Sequence, residues 1–227
     1  MRAGSVIGQA WDMYKAQWQH LVPIAFVVYV AVSLISLLLI ALLGWVGAVL
    51  GGLVGLAGLF WLQGALVVAI DDVRDGRADL SIGQTLERVQ PRLTTLAAAG
   101  VLAAIAIGIG LVFLIVPGLY LLTIWLLIVP AIMLENCGVM DSFGRSHELV
   151  RGYGWSVFGV IVLTLLILIG VDIVFGIVRN AADSQWIGFV INIIAESVTA
   201  PFLALAWTLT YYELRALKGA AEPAPAV

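Results

Sequence analysis

The feature that most constrains this chain is a run of 55 consecutive residues, between Lys15 and Asp71, without a single Asp, Glu, Lys or Arg. A second run of 42 such residues separates Arg92 from Glu135. Because ~20 apolar residues suffice for one helical crossing of a bilayer, each run is long enough for two crossings. Only 11% of the 227 residues are charged and 63% are hydrophobic. The sequence therefore predicts an all-α polytopic membrane protein rather than a soluble domain.

Interruptions within the apolar runs predict six transmembrane helices. Gly44 divides the first pair, Pro117 and Gly118 divide the second, and a polar stretch after Arg179 divides the third. The fourth helix is the shortest and contains Pro130, which disfavours a regular helix at that point. The predicted spans are 21–43, 46–70, 93–115, 117–134, 155–178 and 186–210.

The distribution of basic residues predicts the orientation of these helices. If six spans alternate in direction, 10 of the 11 Lys and Arg residues fall on one side, and only Arg179 falls on the other. The side richer in Lys and Arg is normally cytoplasmic. We therefore expect both termini in the cytoplasm.

Three segments that precede the pairs of spans share a pattern. They begin at Ile7, Ile82 and Phe143 and read IGQAWDMYKAQWQHLV, IGQTLERVQPRLTTLA and FGRSHELVRGYGWSVF. In each, a glycine is followed two residues later by a small residue and four residues later by an acidic one. The three sets are Gly8, Ala10 and Asp12; Gly83, Thr85 and Glu87; and Gly144, Ser146 and Glu148.

Apolar residues at helical spacing in these segments predict amphipathic helices in the headgroup region. We expect one membrane domain, 1–218, built as three repeats of an interfacial helix and a transmembrane hairpin, at about 5–70, 80–134 and 141–212. The alternative is a chance match at three ordinary helix starts. Residues 71–77 read as a solvated turn, Ser81 with Gln84 as a capping box, and 219–227 as a disordered tail.

Polar residues within the last two spans form a candidate intramembrane site. Glu196 lies ten residues beyond Trp186, ~15 Å along the helix and thus near the bilayer centre. Asn192 is one turn earlier, and Asp172 precedes Arg179 by about two turns. One hypothesis is a polar cavity that binds a cation, a proton or a lipid headgroup. The other is structural, with a protonated Glu196 inside the bundle and Asp172 paired with Arg179.

Arg145 and Arg151 in the third amphipathic segment are candidate lipid-headgroup contacts. Interfacial anchoring is the alternative role. We identify no catalytic, metal or cofactor site, because Cys137 is the only cysteine and no nucleophile has a base nearby. The net charge of −3 disfavours nucleic acid as a partner.

Several short motifs resemble a known family. They are VPGL from Val116, PAIMLE from Pro130, DSFGRS from Asp141, Gly154 with Trp155, and YYELR from Tyr211. Together they resemble the membrane domain that precedes some bacterial glycerophosphoryl diester phosphodiesterases, a family that also contains stand-alone six-span proteins. The resemblance implies a bacterial cytoplasmic (inner) membrane protein without the catalytic barrel and supplies no catalytic residues.

We therefore expect a non-enzymatic integral membrane module that interacts with lipids or assists a membrane-associated partner. Its partners would be membrane lipids and a membrane protein or a second copy of the chain. The alternative function is a small transporter or channel that uses Glu196 and Asp172.

Overall fold

The computed structural model describes residues 1–74, 79–180 and 184–219, and all regular structure in these ranges is helical. A 3₁₀ turn, Gln90–Arg92, joins α3 to α4. Residues 220–227, most of the predicted tail, lie outside the described residues. The α-helices in these ranges are α1 (Ala3–Leu43), α2 (Trp45–Val73), α3 (Ile82–Val89), α4 (Leu93–Phe113), α5 (Ile115–Ile124), α6 (Ile128–Glu135), α7 (Val139–Val150), α8 (Gly154–Asn180) and α9 (Gln185–Gly219).

Six helical stretches in the described residues are long and apolar enough to cross a membrane, which confirms the predicted multi-pass helical protein. Two of them are composite, since α3 continues into α4 and α5 into α6. The six are Ala3–Leu43, Trp45–Val73, Ile82–Phe113, Ile115–Glu135, Gly154–Asn180 and Trp186–Gly219.

Tight turns join the first span to the second and the third span to the fourth. The latter turn lies away from its predicted position. Gly44 separates α1 from α2 as predicted, with φ +57°, a backbone value that glycine adopts at little cost. The second turn is at Leu114, whose backbone is extended, and not at Pro117 and Gly118. Pro117 instead lies in the first turn of α5, where a helix needs no N–H donor.

The fourth span is broken between α5 and α6. The break, residues 125–127, ends just before α6, and Pro130 lies in the first turn of α6. In an unbroken helix the Pro130 ring would clash with the carbonyl four residues earlier, that of Leu126. The proline thus redirects the span rather than ending it.

The predicted turn 71–77 does not begin at Asp71, because α2 continues through Val73, and residues 75–77 of the predicted turn lie outside the described residues. The Oδ2 atom of Asp72 accepts a hydrogen bond from the Leu80 backbone N–H at 2.9 Å. The predicted capping box is confirmed: Ser81 Oγ accepts from the Gln84 N–H, and Gln84 Oε1 accepts from the Ser81 N–H. These contacts start α3.

Glycines bring α1 and α2 close together. A Cβ added to Gly47 would lie 1.9 Å from the carbonyl oxygen of Leu39, and one added to Gly58 would lie 2.3 Å from a methyl group of Val32. Gly55 of the same helix has open space beside it. Gly47 and Gly58 therefore allow α1 and α2 to pack closely against each other within the chain.

The three amphipathic segments are folded in different ways. The first is continuous with the long helix α1 and does not form a separate interfacial helix. The second forms α3, and the third forms the separate helix α7. Of these helices only α7, which contains Phe143–Val150 of the third segment, is separated from its neighbours at both ends.

Large apolar side chains cover much of the outer surface. Val112, Phe113 and Trp45 are each about 80% exposed. A soluble protein rarely exposes apolar area on this scale, whereas hydrocarbon is a suitable solvent for it.

Candidate functional site

Contacts between distant parts of the chain bring several helix ends together at one end of the bundle. The Tyr212 hydroxyl donates to the Asp71 carboxylate, and the Arg74 guanidinium lies 4.0 Å from the centre of the Tyr212 ring. Arg92 donates to the side-chain oxygen of Asn136 at 2.6 Å. We call this the basic end, and its cations include Arg74, Arg92, Arg145, Arg151, Arg215 and Lys218.

A carboxylate at the end of α6 organises this region. Glu135 accepts two hydrogen bonds from Arg145, at 2.6 and 3.0 Å, and one from the Tyr211 hydroxyl at 2.6 Å. Arg145 also donates to Glu148 at 2.9 Å, and the Arg215 guanidinium lies 3.9 Å from Glu135. We call these five residues the Glu135 cluster. The hydrogen bonds that Arg145 donates to Glu135, and to a smaller extent to Glu148, raise the pKa of Arg145 above its ordinary value. The guanidinium therefore stays charged.

Ser146 repairs the break between α5 and α6. Its hydroxyl donates to the Ile124 carbonyl at 2.7 Å and accepts from the Leu127 N–H at 3.1 Å. These are the backbone groups that a continuous helix would have paired internally, and Ser146 and Leu127 are fully buried. The serine thus connects α7 to the break and satisfies one donor and one acceptor.

Arg145 is therefore part of the internal scaffold. Two carboxylates, on Glu135 and Glu148, engage its guanidinium, and the side chain is 29% exposed. Arg151, the other predicted lipid contact, is exposed at the end of α7. The two arginines thus have different surroundings although they share a helix.

The structure brings together only part of the predicted intramembrane site. Arg179 donates to the Asn192 side-chain oxygen at 2.8 Å, which joins α8 to α9. Asp172 and Glu196 both have exposed side chains, and no ion pair links Asp172 to Arg179 among the described residues.

A groove of about 650 Å³ lies between α5 and the start of α8. Its walls are mainly apolar, and its polar atoms come from tyrosine, threonine and serine side chains and the backbone, with no acidic residue among those that line it. Trp155 at its edge is 87% exposed and Tyr120 is 56% exposed, so the groove opens on the apolar outer surface. The lining residues are Val116, Leu119, Tyr120, Thr123, Ile124, Gly152, Tyr153, Gly154, Trp155, Ser156 and Phe158.

Two basic residues adjoin the groove lining, Arg151 through the chain and Lys218 through a hydrogen bond. Lys218 of α9 donates through Nζ to the backbone carbonyl of Arg151 at 3.0 Å. The next residue, Gly152, lines the groove, followed by Tyr153 and Trp155. We call Arg151, Gly152 and Lys218 the groove mouth.

Sequence reasoning did not find the Glu135 cluster or the groove. In the sequence, Glu135 and Tyr211 stood out only as parts of short motifs. Lys218 was only one of the basic residues that predict the orientation. Glu135 could have been singled out by its position, because it is the acidic residue directly after a run of 42 uncharged residues. The groove had no such signal, because it arises from the break in the fourth span.

No group of three or more His, Cys, Asp and Glu side chains is placed to hold a metal ion in the part of the chain that the structure describes. Comparisons with protein families, curated proteins and solved structures find no match for this chain.

Proposed function

We propose that this protein is a non-enzymatic integral membrane module that binds lipid in the groove between α5 and α8. The observation that carries the proposal is an apolar groove that is open on the apolar outer surface. Its volume of about 650 Å³ lies in the range of sites that enclose small ligands, roughly 300–1,000 Å³. In a bilayer such a space is filled by acyl chains, because an empty groove forfeits dispersion contacts and its mainly apolar walls offer water few polar partners.

We further propose that the protein lies in the bacterial cytoplasmic (inner) membrane with the basic end in the cytoplasm. The support is the charge asymmetry, since only Arg179 among the basic residues falls at the other end of six alternating spans. We likewise propose, from the short motifs alone, that the chain is related to the membrane domain of the glycerophosphoryl diester phosphodiesterases. A fluorescent protein that folds only in the cytoplasm, fused after the last residue, should fluoresce; an export-dependent enzyme fused there should be inactive.

We also propose that the three amphipathic segments are equivalent repeats. In support, the aligned small residues Ala10, Thr85 and Ser146 are all fully buried. The aligned glycines and the aligned acidic residues are exposed in all three. Similar sequences do not by themselves require the same burial at three separate places. The shared pattern of burial therefore supports equivalent repeats.

A small transporter or channel remains the second proposal. It is favoured by the exposed carboxylates of Glu196 and Asp172 within spanning helices, since a membrane-exposed charge is costly unless it has a function or a partner. Proton or cation flux into vesicles that contain the purified protein would support this function. Flux that survives both Glu196→Gln and Asp172→Asn would contradict the assigned residues.

Lipid binding is tested by filling the groove. The Val116→Trp variant adds a large side chain to the groove lining, whereas Val112→Trp adds the same group to an exposed position of α4 outside it. After exchange into detergent, native mass spectrometry counts the phospholipids retained per chain. We expect Val116→Trp to retain fewer lipids than the wild type and Val112→Trp to retain as many. Equal retention in all three proteins would refute the groove as the site.

A further inference from the structure

We infer that the groove selects an anionic phospholipid, whose phosphate is bound by Arg151 and Lys218 at the groove mouth while an acyl chain lies along α5. This inference rests on the proposed lipid binding and names its ligand class. It is carried by the geometry of the turn between α7 and α8, by the charges around it and by the composition of the groove lining.

The turn after α7 places the backbone of Arg151 beside Lys218 of α9. Helix α7 ends at Val150, the next residue, Arg151, has a non-helical backbone (φ −56°, ψ 123°), and Gly152 follows with φ +90°. Few residues other than glycine adopt this value, so the sharp reversal depends on Gly152. The Arg151 carbonyl lies 3.0 Å from Lys218 Nζ, so the ammonium group of α9 is near Gly152, which lines the groove, and Arg151 directly precedes that glycine with an exposed side chain.

The surrounding charges leave this pair available to an anion. Arg145, six residues earlier, is neutralised by Glu135 and Glu148. Among the described residues neither Arg151 nor Lys218 takes part in an ion pair, and the groove lining contains no Asp or Glu. A guanidinium and an ammonium group together suit a phosphate, which accepts charge-assisted hydrogen bonds from both.

The lining of the groove also matches a phospholipid. Tyr153 and Trp155 lie beside the groove mouth, and tyrosine and tryptophan favour the level of the headgroups. The α5 wall of the groove is largely aliphatic, with Val116, Leu119 and Ile124. A headgroup at the mouth and a chain along α5 would satisfy both ends.

The test is a competition between two lipids with identical acyl chains, phosphatidylglycerol and phosphatidylcholine. The purified full chain in detergent is given equal amounts of both, and native mass spectrometry measures the ratio bound. Each cation near an anionic headgroup contributes roughly fivefold, so we expect the wild type to prefer phosphatidylglycerol by ten- to thirtyfold. The double variant Arg151→Gln/Lys218→Gln should reduce this preference to less than threefold.

Matched variants separate local from general charge effects. The double variant Lys15→Gln/Arg88→Gln removes the same charge from positions that do not line the groove and should keep the preference. Arg151→Lys/Lys218→Arg retains both charges and should keep most of it. Circular dichroism of each variant verifies the helical content, so a folding defect is recognised as such.

The outcomes distinguish this inference from the proposed function. A wild type that binds both lipids equally, or a preference that survives Arg151→Gln/Lys218→Gln, overturns the inference and leaves lipid binding intact. If Val116→Trp also retains every lipid, lipid binding in the groove fails as well. Inorganic phosphate in excess should not displace the phospholipid; displacement would mean that the mouth binds free phosphate and would overturn the inference.

Discussion

The Ser146→Ala substitution tests how the broken fourth span is stabilised. Ser146 Oγ is the described partner of the Leu127 N–H, because the break removes the helical acceptor of that group. It also donates to the Ile124 carbonyl, while the Ile128 N–H bonds to Trp125 at 3.4 Å. Removal of one hydroxyl therefore deprives the buried Leu127 N–H and the part-buried Ile124 carbonyl of this partner.

The expected cost follows from these two bonds. A buried polar group left without its partner costs about 1–3 kcal/mol. Ser146 and Leu127 are fully buried, and in a membrane no water is at hand to replace the hydroxyl. With partial relaxation of the break, we expect Ser146→Ala to lower the free energy of unfolding by about 2–4 kcal/mol.

The matched control is Ser142→Ala, one turn earlier on α7. Ser142 is also fully buried, but its hydroxyl donates only to the Val139 carbonyl of its own helix, at 2.7 Å. Its loss removes no cross-helix bond, and we expect a change below about 1 kcal/mol. The assay is reversible unfolding in mixed micelles with increasing dodecyl sulfate, followed by circular dichroism. If the two variants are equally stable, Ser146 does not support the break as described.

Three further predictions concern packing, the Glu135 cluster and the single thiol. Gly47→Ala should destabilise the protein more than Gly55→Ala in the same unfolding assay, because only the first Cβ would meet backbone, at 1.9 Å; equal effects would contradict the close approach of α1 and α2. Tyr211→Phe removes a 2.6 Å bond to Glu135 and should cost about 1.5–3 kcal/mol, so a change below 0.5 kcal/mol, on the order of measurement error, would show the bond to be unimportant. Burial raises the pKa of the Cys137 thiol, so less thiolate is present at neutral pH. The rate of maleimide labelling in detergent should therefore be lower than for a free thiol and should rise about tenfold per pH unit up to the raised pKa. A labelling rate that reaches a plateau by pH 8 would contradict the raised pKa.

The sequence predicted the helical architecture because hydropathy depends only on local composition. Charge-free runs of 55 and 42 residues leave few alternatives to pairs of spanning helices, and Gly44 marks the first turn correctly. The second turn was misplaced at Pro117, because proline signals both the end of one helix and the first turn of the next. Which of the two applies depends on neighbouring helices.

The candidate site was less predictable because its parts meet only in the folded chain. Glu135 and Tyr211 are 76 residues apart, and Arg151 and Lys218 are 67 apart. The predicted contact between Asp172 and Arg179 relied on helical spacing alone, whereas Arg179 has Asn192 of the adjacent helix as a partner. Helical periodicity places residues on a face and does not say which helix packs there.

The most direct test of lipid binding in the groove is covalent capture of a phospholipid. Phosphatidylglycerol with a photoreactive diazirine near the end of one acyl chain is added at a one-to-one ratio to the detergent-purified protein, irradiated, and located by peptide mass spectrometry. We predict adducts concentrated in the segment 116–124 of α5 and the segment 154–158 of α8, and reduced in Val116→Trp. Adducts spread evenly over other exposed surfaces, such as Val112 and Phe113 of α4, with no excess in the groove, would contradict the proposed function.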